Sequence, residues 1–260
     1  MARVSVKYQD DIARVTLTRG DKMNALDTAM IQAIVSAGQE VAASDARAVV
    51  LSGEGKSFCA GLDMMSFGAL AAEENTDWIM DRTHEDANLF QEVALVWRRV
   101  QVPVIAAVQG AVYGGGLQLA LGADIRIAAP DAKFSVMEMK WGLIPDMGGM
   151  VLLPQLMRSD ALRQLTYTAR PVDVNQALAW GLVTSVDDDP MTAALALAEE
   201  IAGKSPNAIR AAKRLIDIAE SQSRQDVLLA ESAEQGKLIG KAEQMEVIAA
   251  NMQGRKPDFK

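Results

Sequence analysis

The segment from residue 103 to residue 119 limits this chain more than any other. Pro103 precedes five aliphatic residues, Val104-Ile105-Ala106-Ala107-Val108. Gln109-Gly110-Ala111-Val112-Tyr113 and three consecutive glycines, Gly114-Gly115-Gly116, then lead into Leu117-Gln118-Leu119. An unbroken apolar run of that kind reads as a strand buried on both faces. Glycine lets a backbone approach a neighbour closely, and the first N–H groups of a helix are unpaired donors with a positive local potential. A strand that runs through glycines into a helix therefore presents backbone donors suited to an oxyanion or a carbonyl oxygen. On this segment alone, a purely structural turn remains the other reading.

A second turn has the same grammar. Ala48-Val49-Val50-Leu51 is a short apolar run ending at Ser52-Gly53, and Ser57-Phe58-Cys59-Ala60-Gly61-Leu62-Asp63 follows it. Two loops of this type can offer two donors to one carbonyl. The intervening Gly55-Lys56-Ser57 is not a nucleotide-binding P-loop, because the glycine required five positions earlier is Val50.

Around these runs the chain alternates strands and helices early and turns mainly helical late. Residues 4–8 and 13–17 alternate in polarity about Asp10-Asp11 and predict a β-hairpin. Asp27 caps an expected helix over 28–43, and a further helix is expected over 81–99. Strands are expected at 125–128 and 134–136. Ser205-Pro206 opens a helix over 208–220, and an amphipathic stretch runs from 226 to 251. The class is α/β, divided into a core over 1–200 and a helical region over 201–260.

Composition excludes several function classes. The chain of 260 residues carries a formal charge of −8 and no basic run of the kind that binds nucleic acid. No apolar stretch is long enough to span a membrane, and the N-terminus lacks a secretory core, so a cytoplasmic placement is expected. Cys59 is the only cysteine and His84 the only histidine. An internal disulfide or a thiolate metal cluster is thereby excluded, and no metal is expected. His84 reads as an exposed helical residue and Cys59 as a small buried one.

Taken together, several segments resemble the crotonase (enoyl-CoA hydratase/isomerase) superfamily, in order and across the whole chain. They are Asn24-Ala25-Leu26, Phe58 to Asp63, Gly114 to Leu119, FSVMEMKWGLIPDMGG from Phe134 to Gly149, and the ending Arg255-Lys256-Pro257-Asp258-Phe259-Lys260. The resemblance implies a crotonase-like spiral of ββα units, with a C-terminal helical trimerisation region that builds homotrimers or dimers of trimers. It implies an acyl-CoA substrate, with no cofactor beyond the CoA moiety. The thioester oxygen would sit between the N–H groups of Leu62 and Gly115. Lys22, Ala25, Ala60 and Asp63 would line the adenine and pantetheine, and Lys256 and Lys260 would meet the CoA phosphates, across a subunit boundary if need be. Residues 62–78 would line the acyl pocket.

The acidic residues then separate the reactions. Hydratases of the superfamily use two glutamates around one water. The second matches Glu138, but the first falls at Gln118, which can position water and cannot act as a general base. Dienoyl-CoA isomerases of the superfamily pair a glutamate with an aspartate, matched here by Glu138 and Asp146, although they usually also carry an acid where Gln118 stands. Three functions follow in order: double-bond isomerisation of an enoyl- or dienoyl-CoA, hydration of a 2-enoyl-CoA by Glu138 alone, and acyl-CoA binding without turnover.

Overall fold

A computed structural model describes residues 2–63, 65 and 76–259. The strands are β1 (Val4–Gln9), β2 (Ile12–Leu17), β3 (Ala48–Gly53), β4 (Val104–Val108), β5 (Ala111–Tyr113), β6 (Ile125–Ala128), β7 (Lys133–Ser135), β8 (Val172–Asp173) and β9 (Ser185–Val186). The helices are α1 (Thr28–Ala42), α2 (Leu89–Arg99), α3 (Gly115–Leu121), α4 (Gly149–Leu156), α5 (Ser159–Thr168), α6 (Val174–Trp180), α7 (Pro190–Ala202), α8 (Pro206–Ser221), α9 (Arg224–Leu238) and α10 (Ala242–Gln253).

The hairpin forms as expected, with Asp10 and Asp11 both at positive φ, the two-residue turn that suits the twist of paired strands. Beyond it every pairing in the large sheet is parallel, in the order β1-β2-β3-β4-β6-β9. Parallel strands must be covered on both faces. Val15, Leu17, Val49, Leu51, Ala106 and Val108 face the main core with α1 and α2. Ala48, Val50, Ile105, Ala107 and Ile127 face Ala194, Ala198 and Ala202, one small-residue stripe of α7. The stripe has the spacing of a single helical face.

A second ladder runs beside the first and makes the fold a spiral. After β4 the chain adds β5, and after β6 it adds β7, in a small sheet ordered β5-β7-β8. Single pairings, Cys59 with Val112 and Leu26 with Leu62, continue the same ladder through the loops that leave β3 and β2. The loops that leave β2, β3 and β4 thus emerge at the C-terminal end of the large sheet.

Two helices differ from their expected bounds. α2 starts at Leu89 because Asn88 and Gln91 cap it reciprocally, Asn88 Oδ1 accepting from Gln91 N at 2.9 Å and Gln91 Oε1 from Asn88 N at 3.0 Å. Residues 84–87 instead close a tight bridge, which corrects the helical placement of His84. The 226–251 stretch breaks at Gly240, whose φ of 71° ends one helix before α10 begins. α8 is anchored to the core by Lys213, which is buried and donates to Val102 O at 3.1 Å and Asp124 Oδ2 at 2.9 Å. No described helix is long and apolar enough to cross a membrane.

Helix α3 approaches the loop after β3 closely at Gly116. A Cβ there would lie 2.3 Å from Cys59 O, a backbone atom that cannot step aside. Gly116→Ala is therefore expected to destabilise the fold by about 1–3 kcal/mol, the usual cost of overpacking, read as a lower melting temperature. An unchanged melting temperature would show that α3 does not lean on this loop.

Candidate active site

The two glycine turns meet through backbone hydrogen bonds. Ala60 N donates to Met23 O at 3.0 Å, Leu26 N to Gly61 O at 2.8 Å, and Asp63 N to Leu26 O at 2.9 Å. Lys22, Ala25, Ala60 and Asp63 are brought together along that seam. A parallel bridge of this type uses the groups flanking Leu62, so the N–H of Leu62 itself faces the other way.

Asn24 explains its own signature. It is fully buried, its Nδ2 donates to Glu54 O at 3.0 Å and Ser57 O at 2.9 Å, and its Oδ1 accepts from Arg19 N at 2.9 Å. Arg19 was not legible as a site residue in the sequence. Its guanidinium donates to Ala25 O at 3.0 Å and Asp63 Oδ2 at 2.7 Å, clamping the two halves of the seam. The Asp63 carboxyl is held below the usual range by the Met65 N–H and then by Arg19. Only a charged residue just after a strand hinted at this role.

The second turn joins the first through Cys59, which donates its N–H to Ala111 O and accepts from Tyr113 N, both at 3.1 Å. A Cβ on Gly61 would fall 2.7 Å from Tyr113 O and 3.5 Å from Gly115 N. The amides of Leu62 and Gly115 therefore lie at adjoining loop ends, and neither donates to a described residue. Cys59 is buried, its thiol donates to Asn24 O at 3.1 Å, and burial pushes its pKa up to about 12, which suits a packing role.

Gly114, at φ 52°, holds a positive-φ conformation at the N-cap of α3 that favours glycine. The Glu138 carboxylate lies directly over it, with Oε1 3.5 Å from where a Gly114 Cβ would be. Glu138 begins a 3-10 turn, Glu138–Trp141. Its Oε1 accepts from Gln118 Nε2 at 2.6 Å, while its Oε2 is buried without a hydrogen-bond partner. Burial raises the Glu138 pKa, the Gln118 bond opposes that, and the charge of Asp146 adds to it. Asp146 keeps exposed surface, yet lost hydration in the surrounding wall raises its carboxyl too.

Gln118 is buried at 1% exposure, and its Oε1 accepts from Met147 N at 2.8 Å and Gly149 N at 2.9 Å. The three expected catalytic residues are thus brought into one cluster. The C-terminal tail lies elsewhere. Arg47 donates to Phe259 O at 2.9 Å at the N-terminal end of β3, the end opposite the glycine turns. Lys256 belongs to that tail, Lys260 lies outside the described residues, and so do most of residues 62–78. Among the described residues no group of three His, Cys, Asp or Glu could hold a metal ion.

Comparison with known proteins identifies the family and the fold. Residues 7–260 match the family described as "Enoyl-CoA hydratase/isomerase". A human relative, mitochondrial Delta(3,5)-Delta(2,4)-dienoyl-CoA isomerase, is 37% identical over 216 residues, which is 79% of this chain and 65% of that protein. The chain thus spans just under two thirds of the length of that relative. Crystal structures of enoyl-CoA hydratases from Bacillus anthracis (TM-score 0.88, 28% identity, 99% of both chains) and Mycobacterium tuberculosis H37Rv (TM-score 0.87, 28% identity, 100% of this chain and 99% of that one) share its fold. The chain belongs to the enoyl-CoA hydratase/isomerase family and is an enzyme of the crotonase superfamily.

The raised Glu138 pKa carries a sign. In the interval between its unfolded and folded pKa values the native state binds more protons than the unfolded one, so stability falls as pH rises through that interval and stays lower above it. Glu138→Gln is accordingly expected to melt higher than the parent at neutral pH, with the gain shrinking as pH drops toward the ordinary carboxyl range. A variant less stable at neutral pH would contradict the burial of this charge.

Proposed function

We propose that the enzyme shifts the double bonds of a 3,5-dienoyl-CoA, or of a related enoyl-CoA, through a thioester enolate. The observation that carries this reading is a wall with two carboxylates, Glu138 and Asp146, and an amide at position 118. The thioester oxygen sits between the N–H groups of Leu62 and Gly115. Each such donor is worth roughly 3–4 kcal/mol on the developing oxyanion. Glu138 stands over Gly114, beside that oxygen, and so takes the proton from the α-carbon. Electrons then move into the thioester carbonyl to give the dienolate. Asp146, farther along the wall, delivers a proton to the distal carbon as the charge returns from oxygen. Two carboxyls with raised pKa values suit this exchange near neutral pH. The printed name of the human relative supports the dienoyl substrate.

The seam of Lys22, Ala25, Ala60 and Asp63 holds the adenine and pantetheine in this reading. Exposed Leu228, Leu229, Ile239, Met245 and Met252 on and between α9 and α10 supply subunit contacts in a trimer or dimer of trimers. Lys256, and Lys260 with it, would then reach the CoA phosphates of a neighbouring subunit. Light scattering after size exclusion should give three or six times the chain mass of 27.9 kDa, and a monomer would remove this part of the reading.

Hydration by Glu138 alone is the second reading, favoured by the names of the full-length structural relatives. Incubation with 3,5-dienoyl-CoA and trans-2-enoyl-CoA in heavy water, read by mass spectrometry, separates the readings. The expected product has moved double bonds, incorporated deuterium and no added water. Glu138→Gln and Asp146→Asn should each lower turnover about 10²–10⁴-fold while acyl-CoA binding survives. A gain of one water assigns hydratase chemistry instead, and binding with no exchange assigns a non-catalytic acyl-CoA-binding protein.

A further inference from the structure

We infer that Gln118 is a positioning residue that leaves Glu138 one working oxygen and fixes the loop bearing Asp146 to it. The inference deepens the proposed function and rests on that reading only for the identity of the substrate. The orientation of the amide is forced. Two backbone N–H groups, of Met147 and Gly149, point at one end of the Gln118 side chain. Only the carbonyl oxygen can accept from both, so the NH₂ end must face Glu138. That end donates to Glu138 Oε1 at 2.6 Å.

Three consequences follow from those contacts. The Gln118 bond favours a charged, proton-free Glu138 Oε1, so the proton is taken up at Oε2, which has no partner of its own. The backbone N–H groups that donate to this amide, those of Met147 and Gly149, follow Asp146 in the same loop, so the spacing between the carboxylates is set through one side chain. With its oxygen shared between two backbone amides and one N–H of its nitrogen on Glu138, the Gln118 side chain is tied to protein partners at both ends. Gly149 is part of the device: a Cβ there would fall 2.8 Å from both Gln118 Cγ and Oε1.

A carboxylate at 118 could still accept from both amides, but its second oxygen would oppose Glu138 Oε1 where the amide nitrogen now donates. Two oxygens that close require a proton between them. The amide supplies a donor at every pH instead, and Asp146 remains the other titratable group acting on Glu138.

The test is kcat and KM against pH for whichever turnover the parent enzyme shows, in the parent, Gln118→Met, Gln118→Glu and Gly149→Ala, with melting temperatures alongside. Gln118→Met keeps the volume and removes the hydrogen bonds. Its kcat should fall about 30- to 100-fold, in line with removal of a geometric constraint, with KM within about threefold. The acid limb of its kcat profile should move to higher pH, since the lost bond favoured ionised Glu138. Gln118→Glu should move that limb further, and Gly149→Ala should move it in the same direction without any change at 118. An unmoved acid limb in Gln118→Met would overturn the inference, and so would a kcat loss that only tracks melting. If the parent hydrates and does not isomerise, the proposed function fails, and the acid limb still decides the role of Gln118.

Discussion

The backbone bonding between strand-exit loops is the constraint on which everything else rests. The amides of Leu62 and Gly115 belong to loops separated by about fifty residues, and each loop alone would be a mobile turn. They become a fixed pair because Leu26 bonds on either side of Leu62 and Cys59 bonds on either side of Val112, so that one ladder threads three loops. Donors held this way need no reorganisation when charge develops, which is the condition for strong stabilisation of an oxyanion. Asn24 and Arg19 extend the same constraint into side chains. Asn24 satisfies three backbone groups at once, and Arg19 ties Asp63 to Ala25 across the seam.

Onto that frame the structure adds buried charge, which works against stability. Lost hydration raises both Glu138 and Asp146, and their mutual repulsion adds to the first. A fold tolerates such groups where neighbours hold them, and here the neighbour is Gln118 together with the loop it grips. The Lys213–Asp124 pair shows the contrasting use of buried charge. There a cation and an anion join α8 to the entry of β4, with backbone carbonyls completing the coordination.

What the sequence could reveal follows the range of the forces involved. The hairpin, β3, β4 and the Asp27 cap are written in adjacent residues, so alternation, apolar runs and capping chemistry expose them. The start of α2 was misplaced because the charged residues from Asp81 to Asp86 suit a helix as well as a turn, while the Asn88–Gln91 cap decides between them. Gly240 was visible, yet its helix-ending role depends on a positive φ that the surrounding pattern does not announce. The two-residue strands β8 and β9 carry too little pattern to stand out. At the site, the glycine turns and the three candidate residues were legible. The clamp was not, because it joins 118, 138, 147 and 149 through tertiary contacts, and Arg19 reaches Asp63 across forty-four positions.

The different surroundings of the two carboxylates also bear on how a proton relay could reset. In the proposed reaction Glu138 begins ionised and ends protonated, while Asp146 begins protonated and ends ionised. Each turnover therefore leaves the pair inverted, and the enzyme must exchange a proton before it can act again. Glu138 cannot readily do so alone, since its free oxygen is buried and its other oxygen is held by Gln118. Asp146 retains exposed surface and can recover its proton from solvent. The raised pKa of Asp146 makes that recovery favourable nearer to neutral pH than an ordinary aspartate would allow. Once Asp146 is recharged, the Glu138 proton is the one left to return to water, along the same wall, after product leaves. In the proposed reaction, a buried base beside the thioester and a solvent-facing acid would thus divide the work between protected chemistry and proton exchange.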